Sequence, residues 1–188
     1  TALGLTGSVL AVDELFNLAQ PKVAQLYSAS DNNLGEHFLT RFDLASQQLQ
    51  QQRTAMRGHA VLALDQQTSL LFGRRPAYES AYVDFKNAQV TRFKASKQRH
   101  FNGHGCLSAD GKYLFTTETD YVRKRGVIGI RELDSLQPIG ECPTYGLDPH
   151  DLQLMPDGKT LVIANGGIET HPDFERRKLN IETMQPSL

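Results

Sequence analysis

The chain has 188 residues, 39% of them hydrophobic, with 20 basic and 21 acidic side chains and a formal net charge of −1. A balance this close to neutrality gives no electrostatic reason to expect nucleic acid or an anionic membrane as a partner. The 2 cysteines are too few for a disulfide scaffold or a paired-cysteine metal site.

The chain starts with an uncharged run of apolar and small residues, TALGLTGSVLA, at positions 1–11. Val9 and Ala11 fit positions −3 and −1 of a signal-peptidase site, so we expect the run to be the tail of an export signal. The alternative is a first strand or short helix of the domain itself. Other segments fall short of the ~20 apolar residues that span a bilayer, so we expect no membrane span.

Three histidine-led segments recur along the chain, beginning at His59, His104 and His150, with spacings of 45 and 46 residues. After each histidine, an alternating run leads to a polar turn, such as Asp110-Gly111-Lys112, and a second apolar run follows. Asp-Gly between alternating hydrophobic residues is a strong hairpin signal. Each segment is therefore predicted to be a β-hairpin.

The remainder of each unit contains two more short apolar runs around a polar turn. Four short antiparallel strands every ~45 residues are typical of a β-propeller blade. A β-sandwich gives no reason for a fixed long period, and a helical solenoid needs 3.6-residue periodicity. We therefore predict an all-β propeller of four-stranded antiparallel blades over residues 12–188. The predicted blade units are approximately residues 12–55, 56–99, 100–145 and 146–188.

These units amount to roughly three and a half blades, whereas closed propellers typically have four to eight. A half-ring would leave two sheet edges and an apolar blade face exposed. We expect the chain to be part of a longer protein. The alternative is self-association that closes the ring between chains.

Two long stretches resemble a known family. They are GHGCLSADGKYLFTTETDYVRKRGVIGI, from Gly103, and PHDLQLMPDGKTLVIANGGIETHPDFERRKLNIETMQPSL, from Pro149. Both are similar to an uncharacterised bacterial family, domain of unknown function 1513. The resemblance implies a WD40-like or YVTN-like propeller of about seven blades, roughly half of which this chain would cover. It also implies export to the periplasm, often by the twin-arginine route, and genes near imelysin-type iron-uptake proteins. It implies no established activity.

The blade geometry predicts which side chains share one face. The residue before the first strand of a hairpin and the residue after the second lie at the same end, beside the central channel. Six residues are therefore predicted at the channel rim: His59, His104 and His150 at strand starts, and Arg75, Glu118 and Asn165 at strand ends. A long polar insertion adds His171, Asp173, Glu175, Arg176, Arg177 and Lys178, and a turn adds Arg123, Lys124 and Arg125. Such basic residues suit an acidic partner or a carboxylate ligand.

Two interpretations of the histidines are open. In WD40-type blades a Gly-His pair before the first strand forms hydrogen bonds within and between blades, which makes the histidine a satisfied polar group. Alternatively, the imidazoles converge at the channel, where His104 and His150 would hold a divalent metal or an anionic ligand.

Catalytic motifs are lacking: the sequence contains no nucleophile elbow, H-E-x-x-H or phosphate-binding loop. We predict an exported binding or scaffold propeller of unknown ligand or protein partner, rather than an enzyme. An accessory role in periplasmic iron uptake rests on the family resemblance. The alternative is a metal-dependent, lactonase-like hydrolase that uses Glu118, His150 and Asn165 at the channel mouth.

Cys106 and Cys142 are predicted to lie three strands apart, about 14 Å, and to be free thiols.

Overall fold

Antiparallel strands form almost all of the regular structure. The computed structural model describes residues 25–188, which contain thirteen strands in four sheets. Within each sheet, strands that follow one another along the chain pair antiparallel. In chain order they are β1 (Gln25–Asp31), β2 (His37–Asp43) and β3 (Leu49–Thr54); β4 (Gly58–Ala63), β5 (Thr68–Gly73), β6 (Glu79–Asp84) and β7 (Gln89–Lys94); β8 (Arg99–Leu107), β9 (Tyr113–Asp120), β10 (Arg125–Glu132) and β11 (Pro138–Pro143); and β12 (Pro149–Leu154) and β13 (Leu161–Asn165).

The first and last sheets have fewer than four described strands. The predicted export run and any strand that precedes β1 lie outside the described residues. After β13 the chain forms two 3₁₀ helices, Pro172–Phe174 and Ile181–Thr183. Ser187 then pairs with Asn165 through two backbone hydrogen bonds of 2.8 and 3.1 Å, which extends the fourth sheet. Within residues 25–188, no helix is long and apolar enough to cross a membrane.

The histidine-led hairpins turn at aspartates, as the repeat predicts. The carboxylate of Asp157 accepts backbone N–H bonds of 2.9 Å from each of the residues two and three positions later. Asp65 makes the same two contacts, at 2.6 and 2.8 Å, without a glycine in its turn. Gly111 and Gly158 have φ values of +68° and +67°, a conformation that glycine adopts without steric cost. These local signals explain why the turns could be located in the sequence.

The first strands of the hairpins are neighbours across the blade boundaries. β4, β8 and β12 are each the edge strand of a sheet, and β8 contacts both of the others. β1 contacts β4 in turn. The four sheets are therefore arranged around a common line, with β4, β8 and β12 innermost in their sheets. This arrangement is that of propeller blades around a channel.

The core consists of apolar layers between successive sheets. Leu70 and Phe72 on β5 pack with Phe101 on β8, between the second and third sheets. The intervening residue of β5, Leu71, packs instead with Leu39 on β2, between the first and second sheets. Successive residues of a strand point to opposite faces, so β5 contributes to both layers. Both faces of the second sheet are consequently buried.

The two cysteines lie at opposite edges of the third sheet, Cys106 on β8 and Cys142 on β11. Among the described residues both are free thiols, as their predicted separation requires. Burial raises the pKa of each thiol above its ordinary value. Both are therefore weak nucleophiles at neutral pH.

Candidate functional site

The inner strands β4, β8 and β12 each have an irregular register at the histidine. The shifts lie between Gly58 and Val61, between Phe101 and Gly105, and between Pro149 and Asp151. A β-bulge bends the strand and re-aims its side chains away from the regular alternation. The residues within these three irregular segments include His59, His104 and His150.

The three imidazoles converge where the inner strands meet. The ring centroids of His59 and His104 are 4.9 Å apart, those of His104 and His150 are 5.2 Å apart, and those of His59 and His150 are 6.1 Å apart. One ring nitrogen from each lies within 4.8 Å of the corresponding nitrogens of the other two. His59 and His150 are exposed, and His104 is half-buried. We call these three residues the histidine cluster.

A glycine permits this close approach. Gly103 has a φ of +109°, and a Cβ placed on it would lie 2.6 Å from a ring carbon of His59. Such a contact is far shorter than van der Waals distance, so a side chain at position 103 would displace the ring. The positive φ and the tight packing both require glycine here.

The two nitrogens of His104 have different surroundings. Nδ1 lies 3.2 Å from the Oδ1 of Asp151, a residue of the adjacent blade. Nε2 is buried, and within the described residues it has no hydrogen-bond partner. Histidines that bind metals commonly use one ring nitrogen as ligand while a carboxylate holds the other. The Asp151 contact also links neighbouring blades, as expected of a structural histidine, but it involves only one ring nitrogen.

Two of the three histidines, His59 and His104, have lowered pKa values. Partial desolvation lowers the pKa of His59, and the nearby charges of His104, His150 and two arginines lower it further. Burial also lowers the pKa of His104, against the opposing effect of Asp151. A neutral imidazole has an available lone pair, whereas a protonated one does not. These two side chains can therefore act as ligands at neutral pH.

A small cavity of about 100 Å³ adjoins the histidine cluster. Its wall is made mostly of basic and polar side chains from β4, β8, β12, the segment after β5 and the insertion after β13. The lining residues are His59, Arg74, Arg75, Asn102, His150 and Arg176. We call this space the arginine cavity. Arg75 forms an ion pair with the buried carboxylate of Asp148, which anchors it to the segment before β12.

Asn102 ties the inner strands together at this point. Its side chain is almost completely buried, and Nδ2 donates a 3.2 Å hydrogen bond to the backbone oxygen of Pro149, next to His150. This bond joins β8 to the start of β12. Sequence analysis missed Asn102, Arg74 and Asp151, although each is within two residues of a predicted rim residue.

Glu118 requires a correction, because it does not lie at the rim. β9 continues to Asp120, so Glu118 is inside the strand rather than at its end. Its carboxylate is buried and accepts a 2.9 Å hydrogen bond from the equally buried Arg131 on β10. Asn165 is also buried, and its Nδ2 donates to the backbone oxygen of Thr144, away from the arginine cavity. The combination of Glu118, His150 and Asn165 expected for a hydrolase is not assembled.

The cations of the predicted basic turn are at least partly exposed, but each of them pairs with a carboxylate. Arg123 and Arg125 both contact the buried carboxylate of Asp120, at 3.4 and 3.3 Å. Lys124 forms a 2.9 Å ion pair with Glu169. Internal carboxylates therefore partly neutralise the turn.

Of the residues of the insertion, only Arg176 lines the arginine cavity. The ring of His171 instead packs edge-on against Tyr121, with centroids 5.0 Å apart. His171 also accepts a hydrogen bond from the backbone N–H of Asp173. This histidine is thus separate from the histidine cluster.

The family described as protein of unknown function (DUF1513) has a model that matches residues 52–188. This chain belongs to the DUF1513 family. The match includes the whole histidine cluster and the arginine cavity, and the family's description assigns no activity. No curated protein matches the chain.

Solved structures confirm the propeller fold. Hydrazine synthase of Kuenenia stuttgartiensis superimposes with a TM-score of 0.57 at 17% identity, over 73% of this chain and 41% of that protein. The β-propeller domain of Myceliophteria thermophila Cps50 (Swd1) gives a TM-score of 0.55 at 12% identity, over 74% and 50% respectively. The DUF1513 chain thus spans about half or less of the chains it resembles. Identities this low establish the fold alone.

Proposed function

We propose that this DUF1513 protein is a β-propeller binding protein whose histidine cluster holds a transition-metal ion. The observation that carries the proposal is the convergence of three imidazole nitrogens to within 4.8 Å of one another. Imidazole is a ligand for zinc, copper, iron and nickel, whereas calcium and magnesium prefer oxygen ligands. A three-histidine site with one open position is a known arrangement for zinc.

Metal binding requires the cluster to contract. Zinc–nitrogen distances of 2.0–2.1 Å in tetrahedral geometry place the ligand nitrogens about 3.3 Å apart. The exposed rings of His59 and His150 can rotate inward, while Asp151 holds His104. Binding is therefore expected to order the two exposed side chains.

The proposal includes a cellular location. The uncharged residues 1–11 and the family resemblance support export to the periplasm, and the twin-arginine route is supported by the resemblance alone. A role as an accessory of iron uptake is compatible with imidazole ligands, which bind iron but do not select it. A lactonase-like hydrolase is less well supported, because only His150 of its expected residues reaches the cluster.

Zinc titration of the chelator-treated full chain tests the metal site. We expect one zinc per chain and a higher melting temperature with zinc. His104→Ala is expected to weaken zinc affinity by about 100-fold or more, since one of three protein ligands is removed. His171→Ala is the matched control, because this histidine lies outside the cluster, and it should bind zinc like the wild type.

Proton competition provides a second readout. Because the pKa values of His59 and His104 are lowered, we expect zinc binding to persist as the pH falls below about 6.5, where a free imidazole becomes protonated. If the wild type takes up no zinc and His104→Ala only lowers the melting temperature, the histidines have a structural role at the contacts between blades. That result would overturn the proposal.

A further inference from the structure

We propose that the arginine cavity binds a small oxyanion, a carboxylate or a phosphate group, that completes the coordination of the metal. This inference rests on the proposed metal site. It concerns the residues that the histidine cluster does not use: Arg74, Arg75, Asn102 and Arg176. The cavity and the cluster share His59 and His150, so a ligand in the cavity lies beside the metal.

The charges around the cavity are unbalanced. Arg75 is paired with Asp148, but within residues 25–188 neither Arg74 nor Arg176 forms an ion pair. Desolvation lowers the pKa of Arg74, and the proximity of Arg176 lowers it further against the opposing effect of Asp31, so the two guanidinium groups repel each other. A divalent cation on the adjacent histidines would add to this positive charge. An anion between the metal and the arginines offsets the repulsion between the two guanidinium groups and the repulsion between them and the metal cation.

The dimensions and donors of the cavity fit an oxyanion. A volume of about 100 Å³ holds about three water molecules or one carboxylate or phosphate group. Guanidinium groups bind both of these groups through paired N–H bonds. Three histidines leave the fourth position of a tetrahedral metal open, and an oxyanion there can contact the metal and the arginines together.

The insertion after β13 thereby acquires a role. It brings Arg176 to the wall of the arginine cavity, whereas its neighbour Arg177, which is exposed like Arg176, does not line the cavity. A bound anion would join this insertion to the histidine cluster. The affinity for the anion should therefore depend on Arg176 and not on Arg177.

Cobalt(II) is a suitable probe, because its visible absorption changes when a ligand of the metal is exchanged. The cobalt-loaded full chain is titrated separately with acetate and with methylphosphonate, in a buffer free of other oxyanions. We expect a saturable spectral change with at least one of them, and the comparison shows whether the site prefers carboxylate or phosphate chemistry. Arg176→Gln should lower the affinity for the anion by about tenfold or more, the loss expected for one charge-assisted hydrogen bond. Arg177→Gln should leave the affinity for the anion unchanged.

The outcomes separate the two proposals. If the wild type binds no cobalt, the metal site fails and the anion site with it. If cobalt binds but neither anion changes the spectrum, the metal site stands and the anion site is overturned. Equal anion affinities in Arg176→Gln, Arg177→Gln and the wild type would also overturn it. Arg176→Gln must bind cobalt like the wild type in anion-free buffer, because the arginine is not a metal ligand.

Discussion

Glu118→Gln removes one charge from an ion pair inside the third blade. Both members are shielded from solvent: Glu118 is 1% exposed and Arg131 is 0% exposed. The guanidinium of Arg131 donates a 2.9 Å hydrogen bond to Glu118 and lies 5.4 and 5.1 Å from the ring centroids of Phe93 and Phe101. Glutamine preserves the shape of the side chain but leaves the arginine charge without a counter-ion.

The expected loss of stability is large. Breaking a buried ion pair by removing one partner costs about 3–5 kcal/mol, because an uncompensated charge stays buried. For a chain of this size, 1 kcal/mol shifts the melting temperature by about 2–4 °C. Glu118→Gln should therefore melt about 6–20 °C below the wild type, as followed by circular dichroism. Replacing both members together, with Glu118→Leu and Arg131→Met, should recover most of the loss, because no charge is then left buried.

The matched control is Glu182→Gln, which makes the same chemical change at an exposed position. Its free energy of unfolding should stay within about 0.5 kcal/mol of the wild-type value. Equal melting temperatures for Glu118→Gln and the wild type would refute the structural role of the pair. Metal uptake serves as a second readout: Glu118→Gln should bind zinc normally at temperatures where it is folded, since Glu118 is not a ligand.

The parts of the fold that depend on local interactions could be predicted from the sequence. The turns at Asp65 and Asp157 are specified within three residues, by a carboxylate that accepts the following backbone N–H groups. The spacing of His59, His104 and His150 then placed three strands at equivalent positions. Their convergence follows because equivalent inner strands meet at the propeller axis.

The surroundings of the histidines depend on contacts that no local pattern specifies. The alignment of the repeats placed Glu118 at a strand end, yet β9 runs two residues further and the carboxylate meets Arg131 on the neighbouring strand. Arg125 was predicted at the channel rim as a residue that suits an acidic ligand, because the sequence pattern does not show its pairing with Asp120 and with Glu141 on β11. Conversely, Arg74 and Arg176 are far apart in sequence and become neighbours only through the fold. Charge pairing between strands therefore decides which basic residues are available to a ligand.

Three further changes test the site and its surroundings. Asp151→Asn should weaken zinc binding by about 10–100-fold with little change in melting temperature, because it removes the carboxylate that orients a ligand; unchanged affinity in a zinc titration would exclude that role. Burial lowers the pKa of His100 to about 4, so the native ring stays neutral while the unfolded ring gains a proton near pH 6.5. The contribution of His100 to the free energy of unfolding is therefore fully present above about pH 6.5, and it declines by about 3 kcal/mol as the pH falls to 4. Urea unfolding should show a weaker decline for His100→Gln, and identical declines would contradict the assignment. Gly103→Ala places a methyl group 2.6 Å from the ring of His59 and also strains a residue with φ of +109°. Gly111→Ala also falls at a positive φ, +68°, which is a less strained left-handed conformation, and nothing lies within 4 Å of the added methyl group. Both variants should lose stability, whereas only Gly103→Ala should lose zinc affinity, because only there is a ligand displaced. Equal zinc affinities for the two variants would show that the position of His59 does not limit metal binding.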